Sequence, residues 1–156
     1  MISLFGNSLL APIMLDGTDY VSAVVVNDAK ETLILENPAL PHSPTTWQVI
    51  GRRLLHGENP IQAVQCELGA YLGHSEGYWV YLGSYESNQG VGHFFMAQDV
   101  PVTQVQPTDN HDPNWLARWV PVDDLRQALL DGRLSNLSFA ANVALALFLF
   151  PPAIPG

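Results

Sequence analysis

The chain has 156 residues, of which 47% are hydrophobic and 13% are charged, and 15 acidic residues against 6 Lys and Arg give a formal net charge of −9. This length is enough for one domain with a buried core. The acidic balance and the lack of a basic stripe exclude a nucleic acid polymer or an anionic membrane as partner, because both require clustered Lys and Arg; a small phosphorylated ligand stays open.

Six segments of the chain predict β-strands, because they are rich in β-branched and aromatic residues and are bounded by turn residues. They cover residues 20–27, 32–35, 47–50, 78–85, 91–100 and 118–120. The first two are separated by a short polar turn, which predicts a hairpin. Proline-bearing loops follow the second and the fifth of these strands.

Three helices are predicted by their start and stop residues. The first covers residues 60–72, with Asn59 as N-cap, Pro60 at the first helical position and Gly73 as the stop. The second covers residues 122–130 and carries acids in its first turn, where the helix dipole favours them. The third is an apolar helix that begins at a cap, Ser135 or Asn136, and ends at residue 150.

This order of elements predicts one domain of the α/β (α+β) class. We expect a mixed sheet with helices on both faces, that is, an α/β/α sandwich. The predicted domain spans residues 20–150, between an N-terminal extension of residues 1–19 and a C-terminal tail of residues 151–156.

Acidic and basic side chains near the first predicted helix form the candidate site. Residues three and four apart on a helix share a face, and one such stripe consists of Ala63, Cys66, Glu67, Ala70 and Tyr71. Glu67 is the only acid on the stripe, and Glu58 lies just before the cap. Two carboxylates are few for Mg²⁺, which prefers six oxygen ligands in octahedral array. Arg52 and Arg53 lie at the rim of the same region and are candidate phosphate ligands.

Residues 47–74 resemble the Nudix box, whose pattern is G-x5-E-x7-R-E-U-x-E-E-x-G-U, where U is a bulky apolar residue. Glu58 falls on the first Glu of the pattern, Glu67 on the Glu of the Arg-Glu pair and Gly73 on the late Gly. The other key positions differ from the pattern: Arg52 for the first Gly, Cys66 for the Arg, Ala70 and Tyr71 for the Glu-Glu pair, and His74 for the final apolar residue. Because Cys66 cannot form an ion pair, we expect Glu58 to lose the partner that the motif Arg supplies.

The likeness extends over residues 20–150 and is greatest to the ADP-ribose pyrophosphatases among Nudix hydrolases. It includes the strand pair around the Asn88-Gln89-Gly90 turn and the Trp-Val-Pro strand with two helices after it. The subfamily's catalytic Glu lies in the loop before that strand, where this chain has Asp112. The subfamily's substrate-binding Arg has no counterpart in residues 36–39.

The resemblance implies a Nudix fold in which glutamates hold Mg²⁺ or Mn²⁺ against a diphosphate and water is activated for attack. It implies Glu58 and Glu67 as catalytic residues, with Glu67 as the metal ligand. We expect a protein with a degenerate box that is inactive or very weak as a hydrolase, and that binds a nucleotide-like ligand or acts through its dimer surface. The alternative is an active metal-dependent hydrolase of ADP-ribose-like nucleoside diphosphate derivatives, assisted by Glu86 or Asp112. A third interpretation is a purely structural homodimer.

Several other residue types allow a functional interpretation beside a structural one. Cys66, as a lone cysteine within a helix, is expected to be a small buried side chain rather than a nucleophile. His56, His93 and His111 lie on separate elements without metal-ligand spacing, so we expect scattered polar histidines rather than a replacement metal set. Tyr71 and Trp115 are expected to pack in the core or an interface rather than to stack on a nucleobase.

Composition also predicts an oligomer and a compartment. The charged fraction is about half of the ~25% typical of soluble domains, so we expect a second subunit to cover part of the surface in a homodimer. The single cysteine excludes an intrachain disulfide and fits a reducing compartment. The first residues lack the basic start of a secretory signal, and the apolar run of residues 137–150 is shorter than the ~20 residues that span a bilayer. We expect a cytoplasmic protein.

Overall fold

The computed structural model describes residues 19–37, 45–106 and 115–149. These residues form seven strands and three helices. The strands are β1 Tyr20–Asn27, β2 Glu31–Asn37, β3 Thr46–Gln48, β4 Ile50–Arg53, β5 Tyr78–Ser87, β6 Gly90–Val100 and β7 Leu116–Pro121. The helices are α1 Pro60–Leu72, α2 Val122–Leu130 and α3 Leu137–Leu149. Within the described ranges, no helix is long and apolar enough to cross a membrane.

All seven strands belong to one mixed sheet, and β1 lies at its centre. The path of hydrogen-bonded neighbours is β3-β2-β1-β6-β5, while β4 pairs with β1 and β7 pairs with β2. The β1–β6 pair is parallel, and the other pairs are antiparallel. One edge of β1 pairs with β4 over residues 20–23 and with β2 at Val26. The predicted mixed sheet is therefore confirmed.

Side chains alternate between the two faces of the central strand and build two separate cores. Val21, Ala23 and Val25 pack on the face covered by α1, together with Val64 and Leu68 of that helix. The alternate residues of β1 pack on the other face, in a core to which α2 and α3 contribute. Helices on both faces of a mixed sheet are the predicted α/β/α arrangement.

A buried polar pair joins α3 to the sheet. Ser22 and Asn142 are both fully buried, and the Ser22 hydroxyl donates to Asn142 Oδ1 at 2.6 Å. The Asn142 side-chain amide donates in turn to the carbonyl of Phe95 at 3.2 Å. The pair therefore fixes the register of an otherwise apolar helix against β1 and β6.

The ends of the helices follow the predicted capping residues. Asn59 Oδ1 accepts from the amides of Ile61 and Gln62 at 3.1 and 3.4 Å. Gly73 ends α1 with φ of 79° and donates its amide to Gly69 at 2.8 Å. Of the two candidate caps for the last helix, it is Asn136 whose side chain accepts from the first amides of α3. The predicted end of α3 at residue 150, most of the N-terminal extension and the tail lie outside the described residues.

The largest error of the sequence-based prediction concerns the strand before the box. We predict one strand over residues 47–50, but the structure has β3, a break at Val49 and then β4, which continues through Arg53. The reason is long-range, because residues 20–23 of β1 need a partner and pair with residues 50–53. A Cβ on Gly51 would lie 2.7 Å from the Val21 carbonyl oxygen, so glycine permits this close pairing.

Candidate functional site

Arg52 lies on the α1 face of the sheet because it follows Ile50 by two residues on β4. Ile50 is fully buried in the core beneath α1. Arg52 lies one pleat further along, where the core ends, and its side chain is 29% exposed. β4, whose full length the sequence does not predict, therefore directs the Arg52 guanidinium towards the start of α1.

The loop between β4 and α1 brings Glu58 to the same place. Residues 55–58 form a turn in which the amide of Glu58 donates to the Leu55 carbonyl at 3.0 Å. The amide of Leu55 donates back to Glu58 Oε1, also at 3.0 Å. The carboxylate is thus held beside the N-terminus of α1 before any contact with Arg52 is counted.

The Arg52 guanidinium forms a bidentate ion pair with Glu58 and also lies near Glu67. Its Nη1 donates to Glu58 Oε1 at 2.9 Å and its Nη2 to Oε2 at 2.5 Å. Its Nε lies 3.9 Å from Glu67 Oε1. The side chains of Glu58 and Glu67 are 24% and 16% exposed. Bidentate arginine–carboxylate pairs are among the strongest hydrogen-bonded contacts in proteins.

This geometry shifts the pKa of both partners. The hydrogen bonds from Arg52, assisted by the Leu55 amide, lower the pKa of Glu58 from 4.5 to about 2. The same contact raises the pKa of Arg52, with smaller contributions from the nearby Glu67 and Cys66. Glu58 thus lacks the partner at the motif position, which is Cys66, but it has a cationic partner elsewhere that the sequence did not indicate. Arg52, on β4, supplies the charge that Cys66 cannot supply from α1.

Among the described residues, the acids of this site are too few to surround a divalent metal ion by themselves. Across the three described ranges, no group of three or more His, Cys, Asp and Glu side chains converges to hold one. Tyr71, at one of the motif's acid positions, is 5% exposed and packs in the core. Its burial raises the pKa of the Tyr71 hydroxyl, and the charge of Glu67 adds to the effect. Glu58 and Glu67 remain, and both face Arg52.

Cys66 is exposed, which contradicts the prediction of a buried side chain. The buried face of α1 is made of Ala63, Val64, Leu68, Tyr71 and Leu72. Cys66 lies outside that face. The stripe of Ala63, Cys66, Glu67, Ala70 and Tyr71 therefore includes both buried and exposed side chains.

Two of the three histidines considered as a replacement metal set are among the described residues. His56 lies in the turn before α1, and His93 lies on β6. Neither belongs to a group of metal ligands among the described residues, and His111 lies outside them, as does Asp112. Trp115 packs partly buried against the α1-side core, as expected for a packing residue. Glu86 is exposed near the end of β5.

A hydrogen-bonded chain of two hydroxyl groups on β5 and an imidazole on β6 was not predicted. Tyr81 Oη lies 2.5 Å from Ser84 Oγ, which lies 2.7 Å from His93 Nδ1. An irregularity in the β5–β6 pairing between residues 81 and 83 brings Tyr81 and Ser84 to one face. His93 and Arg52 both pair with Val21, so they share the α1 face about 10 Å apart. Gly83, a glycine within a strand, is the one sequence signal of this bulge.

Arg52 and Arg53 both line a cavity of about 240 Å³ at the end of the sheet. Alternation along β4 turns Arg53 to the face opposite Arg52, towards α3. The cavity wall is completed by Tyr20, Val21, Gly51, Gln89, Asn136, Ser138 and Phe139. Tyr20 Oη lies 2.6 Å from Ser138 Oγ. The two predicted phosphate ligands thus border one polar and aromatic cavity.

Comparison with known proteins identifies the fold. No family model and no curated protein matches the sequence. A solved structure described as an ADP compounds hydrolase matches with TM-score 0.65 at 15% identity, over 85% of this chain and 72% of that one. A Nudix hydrolase from Nitrosomonas europaea matches with TM-score 0.54 at 22% identity, over 82% and 86%. A structure from work on MutT of Aliivibrio salmonicida and Vibrio cholerae matches with TM-score 0.50 at 17% identity, over 75% and 96%.

These likenesses show that the chain has the fold of Nudix hydrolases, as the resemblance of residues 20–150 implies. The mixed sheet with helices on both faces is the arrangement shared with the solved structures.

Proposed function

We propose that this chain is a Nudix-superfamily protein with a degenerate catalytic box, which binds a nucleotide-like ligand and hydrolyses it very weakly or not at all. The observation that carries the proposal is the position of Arg52 between Glu58 and Glu67. The two remaining box carboxylates face a cation of the protein itself. The pair therefore fastens β4 to the start of α1, and it is poorly suited to hold a catalytic metal.

The proposed ligand is a small molecule of the nucleoside diphosphate class. Arg52 and Arg53 both border the cavity. The Arg52 guanidinium is paired with Glu58 on the other face of the sheet, so Arg53 is the proposed phosphate contact, and guanidinium groups are preferred partners of phosphates in proteins. One structural neighbour is described as an ADP compounds hydrolase, which agrees with this class. The volume of about 240 Å³ is below the roughly 300–1,000 Å³ of ligand clefts. We therefore expect the cavity to hold the phosphate-bearing end of the ligand.

The competing function is metal-dependent hydrolysis of ADP-ribose-like compounds. It requires Mg²⁺ or Mn²⁺ at Glu67 and Glu58, where these ions would polarise the diphosphate and activate water. A small divalent ion needs more oxygen ligands than two carboxylates supply, and the described part of the chain brings no third ligand beside them. This shortage favours binding over turnover.

We also propose that the protein is a homodimer, with the outer face of α3 as its contact surface. The side chains of Leu137 and Phe148 are 84% and 83% exposed in the single chain, and Leu149 is 52% exposed. Large exposed apolar side chains of this kind are typical of protein interfaces. The cytoplasm is the proposed compartment, since one cysteine forms no intrachain disulfide.

The experiment that tests the proposed function measures turnover and binding on the same samples. Purified protein is incubated with ADP-ribose and other nucleoside diphosphate derivatives in Mg²⁺ or Mn²⁺, and products are followed by mass spectrometry. Glu67→Gln is the site variant, and Glu76→Gln, an exposed acid beyond α1, is the matched control. We expect no turnover in the wild type above that of Glu67→Gln.

Calorimetric titration of the same compounds then measures binding. We expect Arg53→Ala to weaken binding. We expect Arg126→Ala, which changes a half-buried arginine of α2 paired with Asp123, to leave binding unchanged. Turnover that Glu67→Gln abolishes would establish the hydrolase instead. Failure of every compound to bind would leave the dimer surface as the functional part of the molecule.

A further inference from the structure

We propose that Arg52 is a built-in cation of the candidate site and keeps divalent metal ions out of it. The inference rests on the proposed function only in that it concerns the same site. The guanidinium donates to both oxygens of Glu58 and lies 3.9 Å from Glu67. It therefore occupies the space between the two carboxylates where a shared metal ion would be bound.

Ligand number is the first argument for exclusion. A hard divalent ion gains its affinity from several oxygen ligands that surround it. Both oxygens of Glu58 already accept hydrogen bonds from Arg52, and Oε1 also accepts the amide of Leu55. Ala70 and the buried Tyr71 on the following turn of α1 provide no carboxylate to replace it. A metal ion that uses a Glu58 oxygen must therefore compete with these hydrogen bonds.

Charge is the second argument. Two carboxylates and one guanidinium leave a net charge of −1 within the cluster, against −2 for the acids alone. A dication that enters beside Arg52 meets a positive charge at contact distance, in a region where the three side chains are at most 29% exposed. Partial burial strengthens this repulsion because solvent screens it less. Arg52 therefore halves the negative charge that would attract a dication to the cluster.

The fixed geometry of Arg52 is the third argument. Its backbone is held in β4 by pairing with Val21, and the turn that carries Glu58 is closed by its own backbone hydrogen bonds. Arg52 and Glu58 are therefore both held in place by the protein itself, without a bound ligand. The guanidinium also donates to the carbonyl of Arg53 at 3.0 Å, which further limits its movement. Displacing it would cost all of these hydrogen bonds together.

The experiment measures Mn²⁺ binding without any nucleotide. Electron paramagnetic resonance of free Mn²⁺ is recorded during titration of wild type, Arg52→Gln and Arg53→Gln. Arg53→Gln removes the same charge from the neighbouring residue, whose side chain faces the other side of the sheet. We expect Arg52→Gln to bind Mn²⁺ at least roughly tenfold more tightly than the wild type, because its two carboxylates lose their compensating charge. We expect Arg53→Gln to resemble the wild type.

Two results would overturn the inference: stoichiometric Mn²⁺ binding by the wild type that Glu67→Gln abolishes, or a folded Arg52→Gln that gains no affinity. If Arg52→Gln does not fold, paramagnetic broadening of wild-type amide signals by Mn²⁺ decides. Broadening spread evenly over the surface acids supports exclusion, and broadening centred on Glu58 and Glu67 refutes it. Because no nucleotide is present, these outcomes are independent of whether the proposed ligand binds.

Discussion

Replacing Arg52 by Gln separates the two contacts that hold Glu58. In the wild type, the Arg52 guanidinium is the larger cause and the Leu55 amide the smaller cause of a Glu58 pKa of about 2, against an ordinary value of 4.5. Arg52→Gln removes the first contact and leaves the second. We therefore expect the pKa of Glu58 to return most of the way towards 4.5, with a small residual shift from the amide.

The assay is a carbon-detected NMR titration of the side-chain carboxyl groups, in which Glu58→Gln identifies the resonance. Arg53→Gln is the control and should leave the Glu58 titration unchanged. A Glu58 pKa that stays near 2 in Arg52→Gln would refute the reasoning, because the turn alone would then hold the carboxylate ionised.

The same ion pair predicts the direction in which the stability of the fold changes with pH. A carboxyl whose pKa is lowered on folding contributes stability that is fully present above its unfolded pKa. For Glu58 this contribution is complete above about pH 4.5 and is lost as the pH falls towards 2. The wild type should therefore have a higher Tm than Arg52→Gln at neutral pH, and the difference should shrink below pH 4.5. A difference that does not change with pH would contradict the assignment.

Three further substitutions test other contacts of the fold. Asn142→Ala leaves the buried Ser22 hydroxyl unpaired, and we expect it to lower the free energy of unfolding by about 3 kcal/mol, which corresponds to a fall in Tm of about 6–12 °C. The double variant Ser22→Ala/Asn142→Leu removes both partners, so its Tm in thermal unfolding should fall by less. Gly51→Ala places a methyl group 2.7 Å from a β1 carbonyl and should destabilise by about 1–3 kcal/mol, measured by urea unfolding; a neutral result would mean that β4 shifts freely. Phe148→Glu should convert the proposed dimer to monomer in sedimentation experiments, and an unchanged mass would exclude this face.

Local patterns were sufficient for the parts of the fold that local physics decides. The start and end of α1 depend on Asn59, Pro60 and Gly73, whose capping chemistry acts within a few residues. The apolar runs of β1 and β6 predicted buried strands because both of their faces are covered. These elements and the resemblance together were enough for the mixed sheet with helices on two faces.

The site was predicted less well because it depends on pairings far apart in sequence. The strand predicted over residues 47–50 leaves Arg52 beyond its end, because nothing local indicates that β4 continues through residue 53 to pair with β1. Once it does, the two-residue period of the strand directs Arg52 to the α1 face and into contact with Glu58. The exposure of Cys66 was mispredicted for a related reason. Cysteine is compatible with either side of an amphipathic helix, and only packing against the sheet decides which side is buried.

Tyr71 bears on any attempt to redesign this protein into a metal enzyme. The residue is 5% exposed and belongs to the core between α1 and the sheet. Tyr71→Glu would restore the acid of the Nudix pattern at the expense of a large packed side chain, and its carboxylate would be buried beside Glu67. Such a charge costs several kcal/mol when it lacks a partner. Reversion must therefore repack this core as well as remove Arg52, because Tyr71→Glu alone would bury a carboxylate that has no partner.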